Sequence, residues 1–325
     1  MEFFHGVNVD WLGKKWYFLA FSMIFSVAGV ISMGIHWRQI GSPVPLGVDF
    51  QGGTQVQAQF TQPPDINAIR QATEEAGIDG ASVVNFGESA NHEVLISLPE
   101  QTNESALDTG RERIESALHE HYNNPFTVRS VEVVGPTVGH QLEKQAALAT
   151  LYSLLGMLIY LWFRFQLIYG VAAVVACFHD TLITVGAFAL ADSFGFKGLE
   201  LSLTVIAAIL TLVGYSMNDT IVVFDRIREN LRMSRREPLP ELVNRSINQT
   251  LSRTVLTSGL TFLTVLSLFI FGGQVLRGFS FALVIGILIG TYSSIAVASP
   301  MLVAWQEWRS QKGKTVVLPA ARRGK

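Results

Sequence analysis

Six apolar stretches, each near or above the roughly 20 residues that cross a bilayer, constrain this chain more than any other feature. By residue number they run 16–35, 146–163, 167–191, 201–224, about 253–271 and 279–305. With 49% hydrophobic and only 15% charged residues, the chain is too apolar for an ordinary soluble domain. The expected fold is therefore an α-helical polytopic membrane protein with six transmembrane helices. The first stretch follows Lys14 and Lys15 and could imitate a signal peptide. Its length, and the absence of a small-x-small cleavage pattern after it, predict a retained anchor instead. Cys177 is the single cysteine; it can form no internal disulfide and is expected to be a small buried residue.

Between the first two stretches, residues 36–144 have soluble composition and are expected to form a domain. Gln55 to Phe60 alternates like a strand, and Asp65 to Ala76 has helical spacing closed by Gly77. Ala81 to Phe86 and Glu93 to Leu98 read as a hairpin across the turn-rich Gly87 to His92. Glu104 to Tyr122 repeats Ile114, Leu118 and Tyr122 at helical spacing with Asn103 as a plausible N-cap, and Phe126 to Val134 closes as a strand. The order β-α-β-β-α-β is that of an α+β ferredoxin-like unit, which by itself assigns no activity.

Orientation follows from lysine and arginine. Placing residues 1–15 and 306–325 in the cytoplasm puts Lys14, Lys15, Arg164, Arg226, Arg228, Arg232, Arg235, Arg236, Arg245, Arg309, Lys312, Lys314, Arg322, Arg323 and Lys325 inside. The short outer connections then hold only Arg38, Lys197 and Arg277. That asymmetry is the positive-inside pattern, and it makes residues 36–144 extracytoplasmic. Trp16, Trp162, Trp305 and Trp308 fall at span ends on the cytoplasmic side, as an aromatic belt would. A net charge of −2 gives no general attraction for nucleic acid, so none is expected as a partner.

Three spans hold ionisable groups that a structural helix would avoid: His179 with Asp180, Asp219, and Arg253 at or just before the start of its apolar run. A carboxylate inside a span costs roughly 2.5–3.5 kcal/mol or more, so it persists mainly against a partner or an ion path. Asp219 and Arg253 lie equally far along the chain from the outer ends of their runs, at Leu201 and Phe271; at 1.5 Å per residue both are about 27 Å deep. Asp180 is shallower, about 16 Å from the outer end of its run. Groups at stepped depths suit a proton relay, with protons as the coupling ion and no cofactor. Arg253 cannot deprotonate at physiological pH, so it would influence Asp219 by approaching or withdrawing. The alternative is static: an Asp219–Arg253 ion pair pinning two helices, with His179 and Asp180 satisfied by hydroxyls. Gly278, Gly286 and Gly290 in the last span predict close helix packing. Gly52 and Gly53 lack the Lys-Ser/Thr of a phosphate loop, and no metal spacing, catalytic triad or nucleotide fingerprint supports an enzyme.

Several motifs resemble one family. Gly47-Val48-Asp49-Phe50-Gln51-Gly52-Gly53-Thr54, Val134-Gly135-Pro136-Thr137-Val138-Gly139, His179-Asp180, Gly214-Tyr215-Ser216-Met217-Asn218-Asp219-Thr220 with Asp225-Arg226-Ile227-Arg228-Glu229-Asn230, and Arg253-Thr254 with Thr257-Ser258 are similar to the SecD/SecF family, and to its SecF members in particular. The resemblance covers nearly the whole chain. It implies half of a resistance-nodulation-division-type bundle in the bacterial cytoplasmic membrane, working as a non-enzymatic accessory to Sec export. On that resemblance the chain pairs with SecD and couples proton flow to late preprotein translocation, after SecA has driven entry. The implied partners are SecD, SecYEG, YajC, YidC and the translocating preprotein, within the lipid bilayer. Asp219 and Arg253 would be the family's membrane acid and arginine, with Asp180 and His179 as further candidates for the relay. A proton-coupled small-molecule exporter subunit of the same superfamily is the alternative, and an assembly scaffold with purely structural charges a further one. The tail from Gln311 to Lys325 matches no motif.

Overall fold

A computed structural model of the chain describes residues 8–78, 80–86, 91–99, 107–165, 167–196, 198–234 and 237–311. The expected turn around residues 87–90, the Asn103 cap and most of the tail lie outside the described residues. Helix α1 (Lys15–Ile40) leads through a strap and the one-turn α2 (Val48–Gln51) into a small sheet domain. That domain is β1 (Gly53–Phe60), α3 (Ile66–Glu75), β2 (Ser82–Phe86), β3 (Glu93–Pro99), α4 (Leu107–His121) and β4 (Phe126–Val134). The sheet order is β2-β3-β1-β4 and its pairs are antiparallel, which is the ferredoxin-like arrangement expected from the period pattern.

The sheet's alternation places Val56, Ala58, Phe60, Val94, Ile96 and Leu98 on one face, where they bury against Ile69 of α3 and Ile114 and Leu118 of α4. Asp65 begins α3 where it does because its carboxylate accepts from the Asn67 and Ala68 backbone N–H groups, at 2.9 and 3.3 Å. The chain then returns to the bundle as α5 (Pro136–Arg164), α6 (Leu167–Ser193), α7 (Leu203–Met233), α8 (Leu239–Phe271), α9 (Gly273–Ser293), a π-helical turn (Ser294–Ala298) and α10 (Ser299–Gln311). Six of these helical segments are long and apolar enough to span a membrane: Lys15–Ile40, Thr137–Arg164, Leu167–Ser193, Leu203–Met233, Leu239–Phe271 and Val275–Trp305.

Helix bounds differ from the apolar runs in two informative places. Helix α5 starts at Pro136, directly after β4, because proline suits a first helical position and the polar residues up to Lys144 still carry helical hydrogen bonds. Helix α8 starts at Leu239 instead of near Arg253. Its early polar stretch hides an apolar face: Leu242, Val243, Ile247 and Leu251 bury in a cluster with Phe224, Ile227, Leu302 and Val303. Arg253 therefore stands well inside a helix.

The sheet domain is tied to the membrane bundle at one end of α7. Leu46 and Leu201 form an isolated bridge, with Gly47 N–H donating to Leu201 O at 2.9 Å and Leu201 N–H to Pro45 O at 2.7 Å. Asp49 accepts from the Leu203 N–H at 2.9 Å and Ser202 from the Val205 N–H at 3.4 Å, so two of the orphan donors that open α7 are satisfied from the strap and the cap. Gly52 (φ 76°) and Gly53 (φ 130°) turn α2 into β1 through backbone angles that side chains rarely allow. Gly139 of α5 packs against this turn so closely that a Cβ there would lie 2.6 Å from the Phe50 carbonyl oxygen.

Candidate functional site

The buried polar centre of the bundle is built by four helices. On α7, Ser216, Asp219 and Thr220 share one buried face at i, i+3, i+4 spacing. Helix α6 supplies His179 and Asp180, α8 supplies Ser258, and α9 supplies Thr291 and Ser293 just before the π-helical turn. The glycines of α9 let it approach α7: a Cβ on Gly290 would lie 3.0 Å from Ser216 Cβ, and one on Gly286 would run into the Leu212 side chain. This is the close packing expected of Gly286 and Gly290. The widened turn that follows resembles the π-bulges that often accompany functional sites.

Asp180 is fully buried, and its Oδ2 accepts from Ser216 Oγ and Ser293 Oγ, both at 2.6 Å. Its Oδ1 lies 2.9 Å from His179 Nδ1, and His179 Nε2 meets Ser22 Oγ of α1 in a short contact. Hydrogen bonds to an ionised group contribute about 1.5–3 kcal/mol each, so the two hydroxyls together offset much of the several kcal/mol that burying a carboxylate costs. Asp219 is 2% exposed and less well served. Ser258 Oγ donates to its Oδ2 at 2.6 Å, while Thr291 Oγ1 stands at the 3.5 Å limit. Both hydroxyls also line an apolar cavity of about 340 Å³ between α1, α8 and α9.

The four sequence-predicted residues are thus brought together unevenly. His179 and Asp180 are in direct contact, and Asp180 reaches Ser216, one turn from Asp219 towards the sheet domain. That offset places Asp180 about 4–5 Å nearer the sheet-domain side, the depth order expected from counting. No ion pair joins Asp219 to Arg253 among the described residues: Asp219 faces Ser258 and Thr291, whereas Arg253 lies on the exposed face of α8. The helix explains this. Arg253 is five residues before Ser258, which at about 100° per residue turns it about 140° from that side chain, to the edge of the buried face that carries Thr250, Thr254 and Ser258. Thr254 Oγ1, beside it in sequence, is buried without a partner among the described residues.

Sequence reasoning did not single out the hydroxyls. Ser216 and Ser258 stand within the quoted motifs, Ser216 at helical spacing from Asp219, but Thr291 and Ser293 carried no signal beyond being polar in an apolar run. His36 of α1 was also passed over. Its Nε2 lies 3.0 Å from Asp192 Oδ2 at the sheet-domain end of α6.

Comparison with known proteins agrees with this architecture. Residues 114–308 match the family model of the protein-export membrane protein SecD/SecF C-terminal region, and residues 40–64 match the SecD/SecF GG motif. The protein translocase subunit SecF of Koribacter versatilis is 52% identical, covering 98% of this chain and 96% of its own length. That of Desulfurispirillum indicum is 43% identical over 92% of each. A crystal structure of SecDF, described as a translocon-associated membrane protein from Thermus thermophilus, superposes with a TM-score of 0.77 at 38% identity. The match covers 93% of this chain but only 39% of that longer chain. The GG-motif match takes in the strap, α2 and the Gly52–Gly53 turn into β1, and the C-terminal model spans the helices that assemble the buried polar centre. This chain belongs to the SecD/SecF family of protein-export membrane proteins, on its SecF side.

Proposed function

We propose that the chain is one bundle of a two-bundle, proton-coupled accessory to Sec protein export, paired with a SecD-type chain. The supporting observation is the division of labour between Asp219 and Arg253: a buried carboxylate held by neutral hydroxyls, and a guanidinium presented outward from the middle of the neighbouring helix. An arginine facing hydrocarbon costs up to about 2.5–3.5 kcal/mol on insertion scales, less towards the membrane edge, and a second bundle covering that face of α8 would remove the penalty. The part of the SecDF chain that this chain does not match is long enough to supply one.

In the assembled pair, Arg253 keeps its charge throughout, so its effect on Asp219 depends on distance alone. Protonation of Asp219 neutralises the attraction and lets the two helices part; when the proton leaves, the attraction returns and draws them together again. Asp180 and His179 extend the path towards the sheet domain. Helix α7 carries both Asp219 and, at its end, the Asp49-capped junction with the strap, so a shift of α7 is felt directly by the sheet domain. On this reading the sheet domain faces the extracytoplasmic side and both chain ends face the cytoplasm, in line with the lysine, arginine and tryptophan distribution. Emerging preprotein is the load, SecYEG is the channel served, YajC and YidC are further membrane neighbours, and the coupling ion is the proton with no cofactor.

The test is reconstitution. Inverted vesicles with SecYEG and SecA should show gradient-dependent stimulation of preprotein export when this chain and its SecD-type partner are both present, and none with either alone. Full stimulation by the partner alone would refute the assignment.

A further inference from the structure

Helices α1 and α6 meet backbone to backbone: a Cβ on Gly186 would lie 2.8 Å from Gly29 Cα. On both sides of this crossing the interface is polar. Towards the buried centre, Ser22 meets His179. Towards the sheet domain, Ser32 Oγ and Ser193 Oγ are 3.0 Å apart, and His36 pairs with Asp192. Ser26 Oγ, one turn from Ser22, is buried without a hydrogen-bond partner among the described residues. Residues 22, 26, 29, 32 and 36 recur at helical spacing, so these groups form one seam along α1 from the level of Asp180 to the sheet-domain end. Membrane helices rarely keep such groups without a use for them.

The outer pair can be read atom by atom. His36 Nδ1 lies 3.0 Å from the Ser32 carbonyl oxygen, which can only accept, so Nδ1 carries a hydrogen. Nε2 lies 3.0 Å from Asp192 Oδ2. Two bare lone pairs at that distance repel, so the contact holds only while one proton is shared between them, as imidazolium with carboxylate or imidazole with carboxylic acid. The loaded pair is neutral; losing the proton leaves one negative charge beside a histidine that is only 4% exposed. The Asp192 side chain is 22% exposed, which gives the shared proton a way out to solvent. Among the described residues, the charges near the pair include Glu200 in the α6–α7 connection, which acts against Asp192, Arg277 of α9 along the groove that Ala191 and Leu199 also line, and the exposed Arg38 of α1.

We propose that His36 and Asp192 form a proton-binding site at the sheet-domain mouth of the α1–α6 seam, loading protons that pass towards His179 and Asp180. The proposal rests on the proton-coupled reading above. Each step conserves protons: the pair takes one from the extracytoplasmic side, and each hydroxyl or bridging water along the seam accepts one and releases its own.

Four variants in the reconstituted two-chain complex separate the possibilities. With membrane potential held fixed and lumenal pH varied, His36→Gln and Asp192→Asn should lower gradient-dependent stimulation by about tenfold or more at neutral lumenal pH, with recovery as the lumen is acidified. The exchanged pair His36→Asp with Asp192→His restores a shared proton and should regain both much of the stimulation and the lumenal-pH profile of the unmodified chain; regained stimulation with a profile like that of the single variants marks a merely structural pair and overturns the loading site. An unchanged pH profile in both single variants, while Asp219→Asn abolishes stimulation, overturns the loading site alone. Retained stimulation in Asp219→Asn overturns the coupled reading itself. Nitrogen-15 histidine resonances of the unmodified chain give an independent readout: His36 Nδ1 should carry a proton and Nε2 should be hydrogen-bonded to Asp192, and a His36 ring that shows neither bond contradicts the proposal.

Discussion

Replacing Asp49 tests whether the strap and α7 are mechanically joined. Asp49 accepts from the Leu203 N–H at 2.9 Å, in the first turn of the helix that carries Ser216 and Asp219. Removing a capping side chain costs about 0.5–2 kcal/mol, and an anion at a helix N-terminus contributes typically 0.3–1 kcal/mol of that through the macrodipole. Asp49→Ala should therefore favour local opening of the junction about 2- to 30-fold, whereas Asp49→Asn, which keeps an acceptor, should show only the smaller part. The neighbouring Leu46–Leu201 bridge should weaken with it, because its two hydrogen bonds share the strap's geometry. Amide exchange at Leu201 and Leu203, measured where opening and closing are fast, reports that free energy directly. Unchanged exchange there in Asp49→Ala, with the rest of α7 protected as before, would refute the idea that the strap holds this end of the helix.

Two further outcomes follow from packing and charge. Gly186→Leu places a branched side chain where even a Cβ lies 2.8 Å from Gly29 Cα; overpacking costs typically 1–3 kcal/mol or more, so thermal unfolding in detergent should fall clearly below that of Gly186→Ala, and equal midpoints would show that α1 and α6 do not close at this point. Glu200, outside the spans, accepts from Ser82 Oγ of the sheet domain at 3.3 Å, and its carboxyl is raised above its ordinary 4.5, chiefly by burial and further by Asp192, against the Ser82 hydrogen bond. Its contribution to this junction is complete below the ordinary value and is lost as pH rises through the raised one. Exchange of the β2 amides should accordingly increase with pH beyond the chemical rate in the unmodified chain and lose that extra slope in Glu200→Gln; identical slopes in both would show that Glu200 does not titrate at the contact.

Much of this molecule can be read from local pattern. Run length announces the spans, and the two-residue period of Gln55 to Phe60 and the helical spacing of Ile114, Leu118 and Tyr122 announce the sheet domain. What fails is anything set by rotation or by distant partners. Counting residues gives depth, which is why Asp219 and Arg253 come out level. Depth says nothing of azimuth, and the two side chains face different ways. The start of α8 escaped because Leu242, Val243, Ile247 and Leu251 are diluted among polar neighbours, so the stretch is apolar on one face only. The hydroxyls around Asp180 come from α7 and α9, and His36 meets a residue more than a hundred positions away. Serine and histidine have too many other uses in helices for such meetings to leave a trace in sequence.

The central claim is that Asp219 exchanges a proton whose passage drives export. The direct measurement is gradient-dependent stimulation of preprotein export in inverted vesicles carrying SecYEG, SecA, the SecD-type partner and either this chain or its Asp219→Asn variant. Asparagine keeps the size of the side chain and an acceptor for the hydrogen bond that Ser258 donates but cannot release a proton at this pH. Export powered by ATP alone should persist at the level seen without a gradient, and the stimulated increment should vanish. An undiminished increment in Asp219→Asn would contradict the account.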